Sequence, residues 1–440
     1  MLKKAIVTGL VALLGVVCAA TAQDNHIDTI RSDAPELAQY GKFGVGVKTL
    51  KFTNPKQLDI LKAKAGEPIP VYDRPLTVEV WYPAKMVANQ PNVGQYRAIT
   101  RDGKTEVTLY GKAVRDAAPD ASSGPYPLLI ISHGYPGNRF LLSHLGENLS
   151  SKGYVVVSID HTDSTYSDQA EIGSTLLNRS LDQLFVLNEM ARLGASDPAG
   201  TLKGLVNADS TALIGYSIGG YGALNTIGGG YTASSVASAL APPNGALAVR
   251  QAGNPAYTAS MDKRIKAAIA FAPWGWNYGL WDAAGLAGIK TPVFFIVGSV
   301  DDVAGYSPGV RSIFEASVNA PRLLLTYENA NHNAGAPMPA PRETWLPVST
   351  LEFIPADHYT DAVWDNTRMN NIAQHFATAF LGKYLKNEAG MDAYLSLVEN
   401  AKDGKFSAEA NGTLKPDHTY WKGFPARTAA GLRLEQRKAQ

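Results

Sequence analysis

The chain has 440 residues, 45 % of them hydrophobic, and its 40 basic and 39 acidic side chains balance to a net charge of +1. That apolar fraction can fill a large core, and no basic stripe stands out, so nucleic acid is not expected as a partner. The single cysteine, Cys18, excludes a disulfide framework.

Residues 1–22 have the marks of a secretory signal: Lys3 and Lys4, an apolar run from Ala5 to Ala19, and the small-x-small stretch Ala20-Thr21-Ala22. The apolar run is short for a membrane span, and Gln23-Asp24-Asn25 follows it without basic residues. Cleavage would remove Cys18, leave a mature protein with no membrane association, and place it in the periplasm or outside the cell. No internal repeat is visible. Residues 23–440 are expected to form a single α/β domain, with an insertion over 228–262 and a C-terminal extension over 386–440.

Phe43–Leu50 and Leu76–Tyr82 read as strands, the second by strict alternation of Leu76, Val78 and Val80 with Thr77 and Glu79. Residues 85–124 are polar and turn-rich, ending in the loop-like Asp120-Ala-Ser-Ser-Gly124. Pro127–Ser132 and Tyr154–Ile159 are continuous apolar strands, and Phe140–Ser151 between them has helical spacing. Leu176–Leu193 is a second helix, with Leu184, Leu187 and Met190 on one face. Further apolar strands are expected at 211–214, 265–271, 292–297 and 323–327, and a helix at 370–385. Unbroken apolar strands alternating with helices predict a mainly parallel sheet covered on both faces. The site of such a sheet lies at the carboxyl ends of its strands.

The strand at 211–214 runs into Gly215-Tyr216-Ser217-Ile218-Gly219. The Gly-x-Ser-x-Gly pattern alone is weak in a chain with 41 glycines. Here a buried strand precedes it and small residues (Gly220, Gly222, Ala223) follow, as a helix packed close on a sheet requires. Such a turn holds Ser217 exposed and strained, ready to be activated by a base. After the strand at 292–297 comes Gly298-Ser299-Val300-Asp301-Asp302, and after the strand at 323–327 comes Asn329-Ala330-Asn331-His332. The order Ser217, Asp301, His332 is that of the α/β-hydrolase fold. His332 is expected to take and return the Ser217 proton, and Asp301 to fix the imidazole tautomer. Asp302 competes with Asp301, and the spacing from Gly298 favours Asp301. Ser132-His133-Gly134-Tyr135-Pro136 follows a central strand where the second oxyanion donor belongs. The Tyr135 and Ile218 amides are expected to form that hole, since Pro136 has no N–H. His133 is expected to orient this loop, and Asp160-His161 to end a strand.

The chain resembles the platelet-activating-factor acetylhydrolase and dienelactone-hydrolase-like group of α/β-hydrolases. The stretches that carry the resemblance are Leu76–Pro83, Tyr126–Gly134, Gly153–His161, the Ser217 elbow and Ala330-Asn331-His332, within about residues 43–385. It implies an α/β-hydrolase fold and serine-dependent, metal-free hydrolysis of carboxylic esters, with a small-molecule ester as substrate and no cofactor. At Tyr135-Pro136 the chain departs from the small or aliphatic residue and glycine usual in that group. Tyr135 resembles the aromatic oxyanion residue of cutinase-like polyester hydrolases.

Trp274 and Trp276, just after the strand at 265–271, are expected either to line a substrate cleft or to pack under the 228–262 insertion, which could itself form a partial cap. Asp357-His358-Tyr359-Thr360-Asp361 lacks the second ligand cluster that a metal site needs. A secreted serine peptidase, a polyester depolymerase and a non-catalytic binding protein on the same fold are the alternative functions.

Overall fold

The computed structural model describes residues 25–86 and 94–440. The signal expected over 1–22, with Cys18, lies outside them.

Twelve strands follow in chain order: β1 (Gly44–Leu58), β2 (Val71–Ala84), β3 (Gly94–Ile99), β4 (Glu106–Gly111), β5 (Val114–Arg115), β6 (Tyr126–Ser132), β7 (Val155–Asp160), β8 (Val206–Tyr216), β9 (Ile265–Phe271), β10 (Val293–Gly298), β11 (Arg322–Tyr327) and β12 (Leu432–Arg437). Between them lie the helices α1 (Ser143–Ser150), α2 (Ile172–Ala195), α3 (Ile218–Thr226), α4 (Ala233–Val236), α5 (Pro255–Ala259), α6 (Ala283–Leu286), α7 (Arg311–Ala316) and α8 (Asn366–Leu381).

Ten strands form one sheet in the order β12-β11-β10-β9-β8-β6-β7-β2-β1-β5. The six from β11 to β7 are parallel, and β12, β2 and β1 pair antiparallel with their inner neighbours. Burial explains the apolar runs: every residue of β6, β10 and β11 is buried. A strand covered on both faces has no solvent side on which to alternate. This is the α/β-hydrolase fold, as expected.

The chain leaves β6 for β7 on one side and returns to β8 on the other. The strand order therefore reverses between β6 and β8, and a crevice opens at their carboxyl ends. Ser132 ends β6 and Tyr216 ends β8, so the Tyr135 loop and the Ser217 elbow face each other across that crevice.

Two parts of the sheet system were not visible beforehand. The turn-rich stretch 85–124 contains the β3–β4 hairpin, which buries Tyr96, Ala98, Val107 and Leu109. Its alternation is short, and charged side chains at Arg97 and Glu106 pair on the open face. The C-terminal segment supplies β12, an edge strand that buries Leu432 and Leu434 against β11. The 228–262 insertion packs beside α3. The Arg250 guanidinium and the Tyr257 hydroxyl both donate to the Asn225 carbonyl. None of its residues lines the cavity at Ser217, so the partial cap is corrected to a flank of α3.

Candidate active site

Ser217 sits between the end of β8 and the first residue of α3, at φ 54° and ψ −116°. Such a backbone is costly for a residue with a side chain and persists only where its surroundings enforce it. Its N–H donates to the Phe271 carbonyl (2.9 Å), and its carbonyl accepts from Tyr221 and Trp274 amides. The turn is tight enough that a Cβ on Gly219 would lie 1.9 Å from the Ser132 carbonyl oxygen. Only glycine lets α3 start this close to β6.

The loops after β10 and β11 are laced to each other. The Ser299 amide donates to Tyr327 O, Val300 to Ala330 O, and the Asn329 amide to Ser299 Oγ, all within 2.8–3.0 Å. A Cβ on Gly298 would fall 2.1 Å from the Ala330 carbonyl oxygen, so glycine there permits the approach. The lacing brings Asp301 and His332 together. His332 Nδ1 is 2.9 Å from Asp301 Oδ2, and His332 Nε2 is 3.0 Å from Ser217 Oγ. Asp301 Oδ1 also accepts from the Val303 and Ala304 amides at 2.9 and 2.8 Å. Burial alone would raise the Asp301 pKa. The facing His332 and the two amides outweigh it and hold the carboxyl below its ordinary value. The other acid of the pair, Asp302, is exposed and lines the cavity, and the hydrogen bonds of His332 Nδ1 go to Asp301.

The cavity holds about 440 Å³ and opens to solvent. Tyr135, Val303 and Phe353 make its apolar wall, and Asn331, Asp357 and His358 its polar one. Gly134 and Tyr135 line the cavity beside Ser217. Neither the Tyr135 amide nor the Ile218 amide has a hydrogen-bond acceptor among the described residues.

Neither Trp274 nor Trp276 lines this cavity. Gly275, at φ 137°, reverses the chain and lays Trp274 on Tyr278, their ring centroids 4.2 Å apart, with its edge toward Tyr221. These aromatics are packing, and the expected cleft wall is corrected to Phe353 and Val303. Phe353 and His358 come from a long loop after β11 whose sequence gives no periodic signal. The Asp357–Asp361 motif anchors the His332 loop. The Asn331 amide donates to Asp361 Oδ2 (2.7 Å), and Asn333 Nδ2 donates to the Asp357 and Thr360 carbonyls. Tyr216 donates to Asn333 Oδ1 at 2.8 Å, closing the loop onto β8.

A reversed strand order, a strained serine and an in-line carboxylate, imidazole and hydroxyl define an α/β-hydrolase fold with a serine-nucleophile geometry. Comparisons with known proteins agree with the fold. The family model described as PET hydrolase-like matches residues 107–247. A cutinase of Thermobifida alba is 25 % identical over 210 residues, covering 48 % of this chain and 54 % of that protein. The chain thus spans about half the length of the cutinases it matches. A platelet-activating factor acetylhydrolase of Bos taurus is 28 % identical over 167 residues, 28 % of this chain and 38 % of that one. The solved structure of a ferulic acid esterase from Streptomyces cinnamoneus superposes with a TM-score of 0.54 at 20 % identity, over 83 % of this chain and 94 % of that chain. That likeness shows the fold.

Proposed function

We propose that the protein is a serine hydrolase that cleaves small to medium carboxylic esters through an acyl-Ser217 intermediate. The observation that carries the proposal is the hydrogen-bonded line Ser217 Oγ, His332 Nε2, His332 Nδ1 and Asp301, placed at the carboxyl ends of three strands. His332 removes the Ser217 proton as Oγ attacks the ester carbonyl, then hands that proton to the departing alcohol. Water repeats the sequence to release the acid. Asp301, kept ionised, holds His332 in the Nδ1–H tautomer and stabilises the imidazolium. The free Tyr135 and Ile218 amides receive the oxyanion. Phe353 and Val303 give the ester an apolar surface to lie on.

The PET hydrolase-like match and the cutinase relatives favour one second reading, a depolymerase of polyesters, for which an open cavity suits a chain that cannot be engulfed. Export to the periplasm or beyond is proposed on residues 1–22. Among the described residues no helix is long and apolar enough to cross a membrane.

The test is hydrolysis of p-nitrophenyl esters from acetyl to long acyl by the mature protein and by Ser217→Ala. Activity that vanishes with Ser217 and peaks at short or medium chains supports the proposal. Activity untouched by the substitution rejects it. Release of soluble acid from a polyester film, with weak turnover of short esters, would favour the second reading.

A further inference from the structure

Arg179, in the middle of α2, is 1 % exposed, yet no carboxylate among the described residues pairs with it. Asp182, one turn further on, is taken by Arg74 and His161. The partners of the Arg179 guanidinium are neutral oxygens. Nη1 donates to the His133 carbonyl at 2.5 Å, and Nη2 donates to Ser164 Oγ and, at 3.4 Å, to the Gly134 carbonyl. A buried cation with no carboxylate in contact is expensive: burial lowers its pKa to about 9 even with the Asp182 charge acting on it from a distance, so it remains charged at neutral pH. The two carbonyls it holds belong to the two peptides that lead into Tyr135.

The same loop has a second support. The His161 amide donates to His133 Nε2 at 3.2 Å, which fixes the proton of the neutral ring on Nδ1. His133 Nδ1 then donates to the Gly134 carbonyl at 2.7 Å. Burial, and after it the Arg179 charge, holds His133 well below its ordinary pKa and keeps that tautomer neutral. In a trans peptide the C=O and N–H point in opposite directions. With Gly134 O turned inward to His133 and Arg179, the Tyr135 N–H turns outward to the cavity that Gly134 and Tyr135 line. Gly134 lies so close that a Cβ on it would be 3.5 Å from Ser217 Cβ.

We propose that Arg179 is a positioning residue for ester hydrolysis: through the His133 and Gly134 carbonyls it aims the Tyr135 amide at the oxyanion and polarises it. Hydrogen bonds in series strengthen one another, and a full charge behind the peptide does so more than a neutral donor. The inference rests on the serine-hydrolase reading above. Its effect falls on the tetrahedral state, where the oxygen carries charge, and spares ground-state binding.

The experiment compares Arg179→Gln and Arg179→Lys with the intact chain, using p-nitrophenyl butyrate and a p-nitrophenyl phosphonate that labels serine. Removing an oxyanion donor outright costs about 10²–10³ in kcat. Weakening one should cost Arg179→Gln roughly 10- to 100-fold in kcat per labelled serine, with KM within about threefold. Its phosphonylation rate should fall by a similar factor. Arg179→Lys, which keeps the charge but reaches one carbonyl, should lose about three- to tenfold, and it carries the test if the glutamine variant does not fold. A full kcat per labelled serine in either folded variant overturns the inference, as does a loss expressed only in KM. Failure of the phosphonate to label Ser217 in the unaltered protein would instead reject the serine-hydrolase reading itself.

Discussion

Gly219→Ala isolates the demand that the elbow makes on the sequence. The added Cβ would sit 1.9 Å from the Ser132 carbonyl oxygen and 2.8 Å from that of His133. Real Cβ contacts stay beyond about 3.0 Å, so the two backbones must part by roughly 1.1 Å. The neighbouring atom is main chain of β6, which cannot swing aside as a flexible side chain would. The displacement falls between the Ile218 amide, which moves with α3, and the Tyr135 amide, which moves with the loop after β6. A misplacement of about 1 Å costs on the order of 10²-fold in rate, and overpacking a core costs about 1–3 kcal/mol of stability. We expect kcat per phosphonate-titrated serine to fall about 100-fold, with the melting temperature lowered but the fold retained. Gly173→Ala in α2, whose nearest atom would be 3.6 Å away, is the control and should keep full activity. A Gly219→Ala protein that turns over within twofold of the parent would refute the idea that the elbow and the β6 loop share the oxyanion.

Asp301→Asn should lower kcat by about 10⁴ because the amide favours the wrong imidazole tautomer, whereas Asp302→Asn should change it only a few-fold; steady-state kinetics on both decides, and the reverse result would move the acid by one residue. Asn333→Ala removes three hydrogen bonds that tie the His332 loop to Tyr216, Asp357 and Thr360, and should cost about 3 kcal/mol in a denaturant titration. The pH dependence of stability follows from the buried histidines, among them His144 and His375, which burial holds down to pKa values of about 3 as it does His161 and His358. Below pH 6.5 the unfolded chain takes up protons that these rings do not, so stability is full above that pH and falls as the pH drops toward 3. The loss is at most about 1.4 kcal/mol per pH unit for each ring. His375 Nδ1 accepts from the Leu37 amide, so protonation there breaks a bond as well as charging the core. A melting temperature that is flat from pH 7 to pH 5, or a His375→Gln variant with an unchanged slope, would show that other groups govern the acid limb.

The central parallel strands and the three residues of the serine line were legible in the chain alone. A strand buried on both faces must be continuously apolar, and Gly-x-Ser-x-Gly at the end of such a strand has few other uses. The chain order of serine, acid and histidine supplied the rest, because strand ends on one edge of a parallel sheet must meet. Local pattern could not show distant closure. The β3–β4 hairpin and β12 are short edge elements whose polar faces dilute the alternation. Phe353 and His358 reach the cavity from a loop with no period at all, and Trp274 turns away because Gly275 reverses the chain beneath it. Arg179 reads in the sequence as one more polar residue on a helix. Only the packing of α2 against the β6 loop places its charge behind the Tyr135 amide. The sequence by itself set which residue types stand at the strand ends, and with them the nucleophile, base and acid of the proposed reaction. Tertiary structure decided which of the adjacent acids faces the imidazole, what walls the cavity, and what stands behind the Tyr135 amide, since these depend on contacts between segments far apart in the chain.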